Sequence, residues 1–291
     1  MTGLETGALR RCRMAISMML VLLVVSGCAS SGSTGSTEVA FAPVAPLPDK
    51  YAAIVVDAKS GKMLYGANAN ELRYPASLTK MMTLYMLFEA IDQGRVSRSD
   101  LIPISRNAAA RPPSKLGLKA GQSIPVDTAI RVLVVKSAND VATAVAEFLG
   151  GGSEDRFAEM MTAKARTLGM GRTTFRNASG LPDPGQVTTA TDMARLSIAL
   201  KRTFPHHYGY FAQREVTVAG RTIKGHNKAM DMIPGADGLK TGYTRASGFN
   251  LATSVNRGGH SVVGVVMGEN SADIRNARMA QLMSMYVSKA K

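Results

Sequence analysis

The stretch Pro75-Ala76-Ser77-Leu78-Thr79-Lys80-Met81-Met82-Thr83, running on as LYMLFEAI to Ile91, decides how the chain is read. Pro75 introduces it and Gly94 stops it, the usual punctuation of a helix. Its apolar positions (Leu78, Met81, Met82, Leu84, Tyr85, Met86, Leu87, Phe88, Ile91) fall on every face, so the helix is predicted to be buried rather than amphipathic. A lysine in such a helix is costly unless it is paired or at work. The three-residue step from Ser77 to Lys80 places both on one face within contact distance. Ser77 stands at the helix start, where free N–H groups and the dipole favour negative charge. Burial lowers a lysine pKa, and a neutral amine there can accept the serine proton. Taken alone, the same four residues also fit a capping serine and a lysine that reaches solvent.

Strand patterns lie at both ends of the body. Tyr51–Asp57 and Lys62–Tyr65 flank the turn Ala58-Lys59-Ser60-Gly61, a hairpin signature. Phe249–Ser254 and Ser261–Met267 alternate around Asn256-Arg257-Gly258-Gly259, and Ser271–Ala290 reads as a closing helix. Between them come helices at Thr128–Val135, Asp140–Phe148, Ser153–Leu168 and Thr191–Arg202, with a short hairpin at Glu215–Val218 and Arg221–Lys224. The predicted class is α/β in the broad sense (α+β): an antiparallel sheet completed by distant segments, with a helical subdomain inserted.

Composition narrows the chemistry. With 291 residues, 45% hydrophobic and 19% charged, the chain has material for a large core, and whole-chain disorder, collagen and coiled coil are excluded. Aromatics are 5% and Trp is absent, which argues against a base-stacking surface. The two cysteines, Cys12 and Cys28, precede the body, so a disulfide framework, a cysteine-ligated zinc and a thiol nucleophile are excluded there. His206, His207, His226 and His260 show no metal-ligand spacing, and neither a metal nor another cofactor is expected. A net charge of +14 and a pI near 10.0 point to an anionic partner or to a solvated basic face.

Residues 1–27 read as a lipoprotein-type signal peptide. Arg10, Arg11 and Arg13 precede the apolar run Met14–Val25, too short to span a bilayer core that needs about 20 residues. Val25-Ser26-Gly27-Cys28 resembles a lipobox, making Cys28 the expected lipidated residue and a lipid the expected link to a membrane. Residues 28–48, rich in Ser and Gly and then in Pro, read as a flexible tether with an r.m.s. reach of about 25 Å. Export to the periplasmic face of the envelope is expected, with no nucleic-acid partner.

Two further motifs join Ser77-Leu78-Thr79-Lys80. Ser137-Ala138-Asn139 lies at a predicted helix junction 60 residues on (77 to 137), and Lys240-Thr241-Gly242 follows after 103 more (137 to 240). Strand alternation puts Lys240 and Gly242 on one face and Thr241 on the other. Gly lets a ligand backbone lie close, while Lys240 and Thr241 suit a carboxylate. SxxK, SxN and KTG in this order match the set found in β-lactamases and penicillin-binding proteins. The flanks Ile54-Val55-Val56-Asp57, Ser179-Gly180-Leu181-Pro182 and Gly235-Ala236-Asp237-Gly238-Leu239 closely resemble the low-molecular-weight penicillin-binding proteins, which contain the D-alanyl-D-alanine carboxypeptidases. The resemblance runs from about Tyr51 to the C-terminus.

That resemblance implies a five-stranded antiparallel sheet flanked by helices, β-lactamase/transpeptidase-like, with a cleft between sheet and helical subdomain. It implies that Ser77 attacks the carbonyl between the terminal D-alanines of peptidoglycan stem peptides, with Lys80 as base. Ser137, aided by Lys240, would hand a proton to the leaving D-alanine, and Asn139 would orient the acyl peptide. Backbone N–H groups of Ser77 and Tyr243, beside Gly242, would form the oxyanion hole. Thr241 and Arg275 would bind the terminal carboxylate, and β-lactam antibiotics would acylate Ser77 as covalent inhibitors. Residues 49–291 are expected to be the peptidase domain, without the second β domain of the best-known members, because 23 residues follow Gly268. His226-Asn227 stands where some members carry an arginine. The rival readings are a D,D-endopeptidase with the same site, a β-lactamase, which lacks its Glu-x-x-Leu-Asn loop here, and a non-enzymatic wall-binding lipoprotein.

Overall fold

The computed structural model describes residues 49–291. The expected signal peptide, the lipidation residue Cys28 and the tether lie outside them. In chain order the elements are β1 (Ala52–Asp57), β2 (Met63–Ala67), a 3-10 turn (Ala76–Thr79), α1 (Lys80–Asp92), β3 (Leu101–Pro103) and α2 (Arg106–Ala110). Next come β4 (Ser123–Pro125), α3 (Val126–Val135), α4 (Asn139–Leu149), α5 (Glu154–Thr167), α6 (Ala190–Thr203), a 3-10 turn (Tyr208–Ala212), β5 (Glu215–Val218) and β6 (Arg221–Lys224). The chain ends with α7 (Ala229–Met232), β7 (Ala236–Thr244), β8 (Gly248–Arg257), β9 (His260–Glu269), α8 (Ala272–Tyr286) and a last 3-10 turn (Val287–Lys289).

The main sheet has the order β2-β1-β9-β8-β7, every pair antiparallel, as the sequence led us to expect. The N-terminal hairpin docks onto the C-terminal strands through β1 and β9, in register from Ala52↔Met267 to Asp57↔Val262. Both strands are covered on two faces, so nearly every position along them is buried. On one face Ala53, Val55, Leu251, Val262 and Val266 pack against Met279, Leu282 and Met283 of α8. On the other, Ile54, Val56, Ala252, Val263 and Val265 meet the helical layer. Two strand pairs stand apart from this sheet, β3 with β4 and β5 with β6.

Helix α1 runs through the middle of the helical layer. Ten of its thirteen residues are buried, so the all-round apolar pattern marks a central helix. The structure shortens it at the front: Ser77 lies in the 3-10 turn, and the α-helix begins at Lys80. At the other end Phe88 stacks on His207 (centroids 4.7 Å apart) and meets Phe204, Tyr210 and Phe211 at 5.8–6.2 Å. Phe88→Ala should therefore lower unfolding free energy by about 3–5 kcal/mol, as removal of a buried ring does. Urea denaturation measures this; a loss below about 1 kcal/mol would show that the cluster does not anchor α1.

Candidate active site

Lys80 is the first residue of α1 and its side chain is fully buried. Its Nζ lies 3.1 Å from Ser77 Oγ, 2.8 Å from Asn139 Oδ1 and 2.5 Å from the backbone oxygen of Ser179. The two carbonyl-type oxygens can only accept. A neutral amine has two N–H donors and one lone pair, so when Asn139 and Ser179 take the donors the lone pair is left for the Ser77 hydroxyl. Burial holds the Lys80 pKa well below the ordinary lysine range, and the charge of Lys240 adds to this against the pull of Asp140 and Glu154.

Ser77 is held by close backbone approaches from two sides. Ala76, before it, has φ +48°, a left-handed conformation rare for a residue with a side chain. Gly180 has φ +86°, and a methyl group on it would fall 1.9 Å from Ala76 O and 2.9 Å from Ser77 N. From the sheet side, a methyl on Gly242 would fall 2.9 Å from Ser77 N and 3.2 Å from Leu78 N. Asn250 of β8 ties this turn to the sheet: its Nδ2 donates to Tyr74 O and Pro75 O, and its Oδ1 accepts from Gly268 N.

The α3–α4 junction supplies Ser137 and Asn139. Ser137 is buried with φ +60°, and its Oγ has no hydrogen-bond partner. A strained residue carrying an unsatisfied buried hydroxyl marks a position with work to do. Asn139 was expected to face substrate, yet its side chain is also tied inward. Besides Lys80, it donates from Nδ2 to Pro112 O at 2.9 Å. Its neighbour Asp140 accepts from the backbone N–H groups of Leu116, Gly117 and Val141, fixing the loop between α2 and β4 against the start of α4.

Strand β7 forms the sheet edge. Lys240 lies opposite Ala252, which faces the helical layer, and Thr241 lies opposite Leu251, which faces α8, as alternation predicts. Lys240 is buried, with Nζ donating to Thr241 O at 3.0 Å. Desolvation, followed by the charge of Arg275, brings its pKa down to about 7. Tyr243 projects outward, 55% exposed, and stacks on Phe249. Arg275 is buried one strand in from this edge. Its guanidinium donates to Asn276 Oδ1 and to the backbone oxygen of Asn250, the residue paired with Gly242. Among the described residues no carboxylate forms an ion pair with Lys80, Lys240 or Arg275, and the charge of Arg275 acts on Lys240 as that of Lys240 acts on Lys80.

The family model described as D-alanyl-D-alanine carboxypeptidase matches residues 41–271. The chain belongs to that family. It is 31% identical over 278 residues to D-alanyl-D-alanine carboxypeptidase DacF of Bacillus subtilis, covering 94% of this chain and 69% of the relative. It is 35% identical over 249 residues to DacA of Escherichia coli, covering 83% of this chain and 62% of that one. Penicillin-binding protein D2 of Listeria monocytogenes, solved in its cefotaxime-bound form, superposes with a TM-score of 0.74 at 31% identity, covering 84% of this chain and 98% of that one. The chain thus spans about two thirds of the length of the curated relatives it matches.

Several parts of this carboxypeptidase-family site carried no sequence signal. Ser179 acts through its backbone oxygen, which no motif can announce. The segment bearing it is anchored by buried Glu154, which accepts from Ala178 N and Thr143 Oγ1 and pairs with Arg111. Glu154 reads as an ordinary first-turn acid on α5. Asp92, His206 and His207 also converge, with ligand-type atoms within 4.8 Å of one another. Here Arg98 donates to His207 Nδ1 at 3.0 Å, so Nε2 carries the proton and donates to Asp92 Oδ1 at 2.7 Å. That proton occupies the position from which Nε2 would bind a metal.

Gly242→Ala should cut the rate of covalent acylation by a β-lactam at least about a hundredfold, because the added methyl forces the Ser77 turn off β7. Stopped-flow acylation with nitrocefin measures it. A rate within threefold of wild type would show that the edge strand does not set the turn.

Proposed function

We propose that this chain is a serine-type D-Ala-D-Ala carboxypeptidase that removes the terminal D-alanine of peptidoglycan stem peptides through an acyl-enzyme on Ser77. The observation that carries the reading is the contact of a fully buried Lys80 Nζ with Ser77 Oγ at 3.1 Å. Lys80 takes the hydroxyl proton as Oγ attacks the carbonyl between the two D-alanines. Negative charge grows on that carbonyl oxygen between the backbone N–H groups of Ser77 and Tyr243, each worth about 3 kcal/mol in comparable sites. Ser137, with its free buried hydroxyl, returns a proton to the departing amine. Thr241 receives the terminal carboxylate in the positive field of Lys240 and Arg275. Water then releases the acyl group with Lys80 again as base. Asn139 positions Lys80 and keeps one amide hydrogen for the acyl peptide. The export signal expected over residues 1–27 fits a substrate that lies outside the cytoplasm.

Mass spectrometry after exposure to benzylpenicillin tests the nucleophile. Wild type should carry one covalent adduct and Ser77→Ala none, with D-alanine release from a D-Ala-D-Ala peptide lost in the same variant. An adduct on Ser77→Ala would remove Ser77 from its role.

The pH profile tests the two lysines. Lys80 must be neutral to accept a proton, so kcat/KM rises on the acid side as it deprotonates, well below the usual lysine range. Lys240 must be charged, so kcat/KM falls as it deprotonates, around pH 7. Lys240→Arg keeps its charge and should carry that fall to higher pH. A fall left unmoved by the substitution would assign the alkaline limb to another group.

A further inference from the structure

A cavity of about 360 Å³ is lined in part by Leu239, the residue before Lys240. Its lining combines the apolar Val135, Phe211 and Leu239 with Gln213, His226 and Asn227 and with charged residues of both signs. It adjoins the catalytic groups through the chain itself. Leu239 precedes Lys240, Val135 is two residues before Ser137, and His226 bonds the Lys136 backbone close enough to Lys240 to feel its charge. A second, mostly apolar cavity of about 230 Å³ lies at the other end of β7, lined by Thr244, Ala76 and Leu181. Leu239 and Thr244 are five residues apart on one strand, about 17 Å at the usual rise. An extended peptide laid along β7 would be long enough to reach from one cavity to the other, passing Gly242 and the Ser77 turn. On the reading given above, which this inference rests on, the leaving group departs on the Lys240 side.

Three buried side-chain atoms on that side have no hydrogen-bond partner: Gln213 Oε1, Asn227 Oδ1 and Asn227 Nδ2. Buried polar atoms are nearly always satisfied, so each such atom needs a partner that the polypeptide does not supply. Two acceptors and one donor are the complement of a primary carboxamide, whose NH2 offers two donors and whose oxygen accepts. A carboxylate offers no donor to the two oxygens, and an alkyl chain satisfies none of the three atoms.

We propose that this cavity is a leaving-group subsite for a D-amino acid whose side chain ends in a primary carboxamide, held by Gln213 and Asn227. The bond chemistry is unchanged. Ser77 Oγ bonds to the acyl carbon, the C–N bond breaks, and the leaving amine takes the proton. Water then splits the ester, its hydroxyl staying on the acyl group and its hydrogen restoring Ser77. Only the amine that leaves is different.

The test uses peptides with one acyl part and a final D-alanine, D-asparagine, D-glutamine, D-glutamate or D-norleucine. Wild type should cleave the best carboxamide substrate at least about tenfold faster in kcat/KM than the D-norleucine and D-glutamate peptides. Asn227→Leu combined with Gln213→Leu should bring that ratio to about one, with benzylpenicillin labelling reporting that the variant is folded. Should the variant not label, the wild type decides alone, since D-glutamine should then outcompete D-norleucine as an acceptor for the acyl-enzyme. A carboxamide advantage absent from both assays, with D-alanine still released, overturns the subsite and means that water satisfies the amides. Loss of every cleavage and of the penicillin adduct would instead overturn the peptidase reading itself.

Discussion

Everything in this site depends on taking one lysine amine out of water. Lys80 is the first residue of a helix that is buried all round, so its amine has no path to solvent and must be satisfied by the protein. Two oxygens from remote parts of the chain, Asn139 Oδ1 and Ser179 O, do this without carrying charge. Carboxylates at contact distance would hold the proton on the amine; neutral acceptors leave it free to depart. The same desolvation that would be a defect elsewhere holds the amine's pKa well below the ordinary lysine range.

Meeting that demand organises the fold around the cleft. Asn139 must sit at the start of α4, which the Asp140 carboxylate and the Pro112 carbonyl fix in place. Ser179 must present its backbone oxygen, which Glu154 arranges by holding the adjoining Ala178. Ser77 must lie against Lys80, and the turn bearing it is closed between Gly180 and Gly242 and tied to the sheet by Asn250. Left-handed backbone at Ala76 and Ser137 shows where packing overrides local preference, at both serines' positions in the cleft.

A concentration of positive charge follows from the same arrangement. Lys240 and Arg275 lie close enough that each buried cation depresses the proton affinity of the next. Such a cluster of buried positive charge is costly unless an anionic group faces it. Family membership and this electrostatic layout agree without either being needed to read the other.

Much of this was legible in the sequence. Hydrophobic patterning placed both terminal hairpins, the central helix and the β5–β6 pair, because burial selects residue types locally. Of the residues in the three motifs, the structure brings Ser77, Lys80 and Asn139 into hydrogen-bond contact and sets Gly242 against the Ser77 turn. Other features were decided only by tertiary structure. The carbonyl of Ser179, the anchoring by Glu154, the inward turn of Asn139, the internal partners of Arg275 and the unsatisfied amides of Gln213 and Asn227 all depend on groups far apart in the chain. A sequence records which groups are present; hydrogen bonding and desolvation depend on which distant groups are brought within about 3 Å, and folding alone sets that.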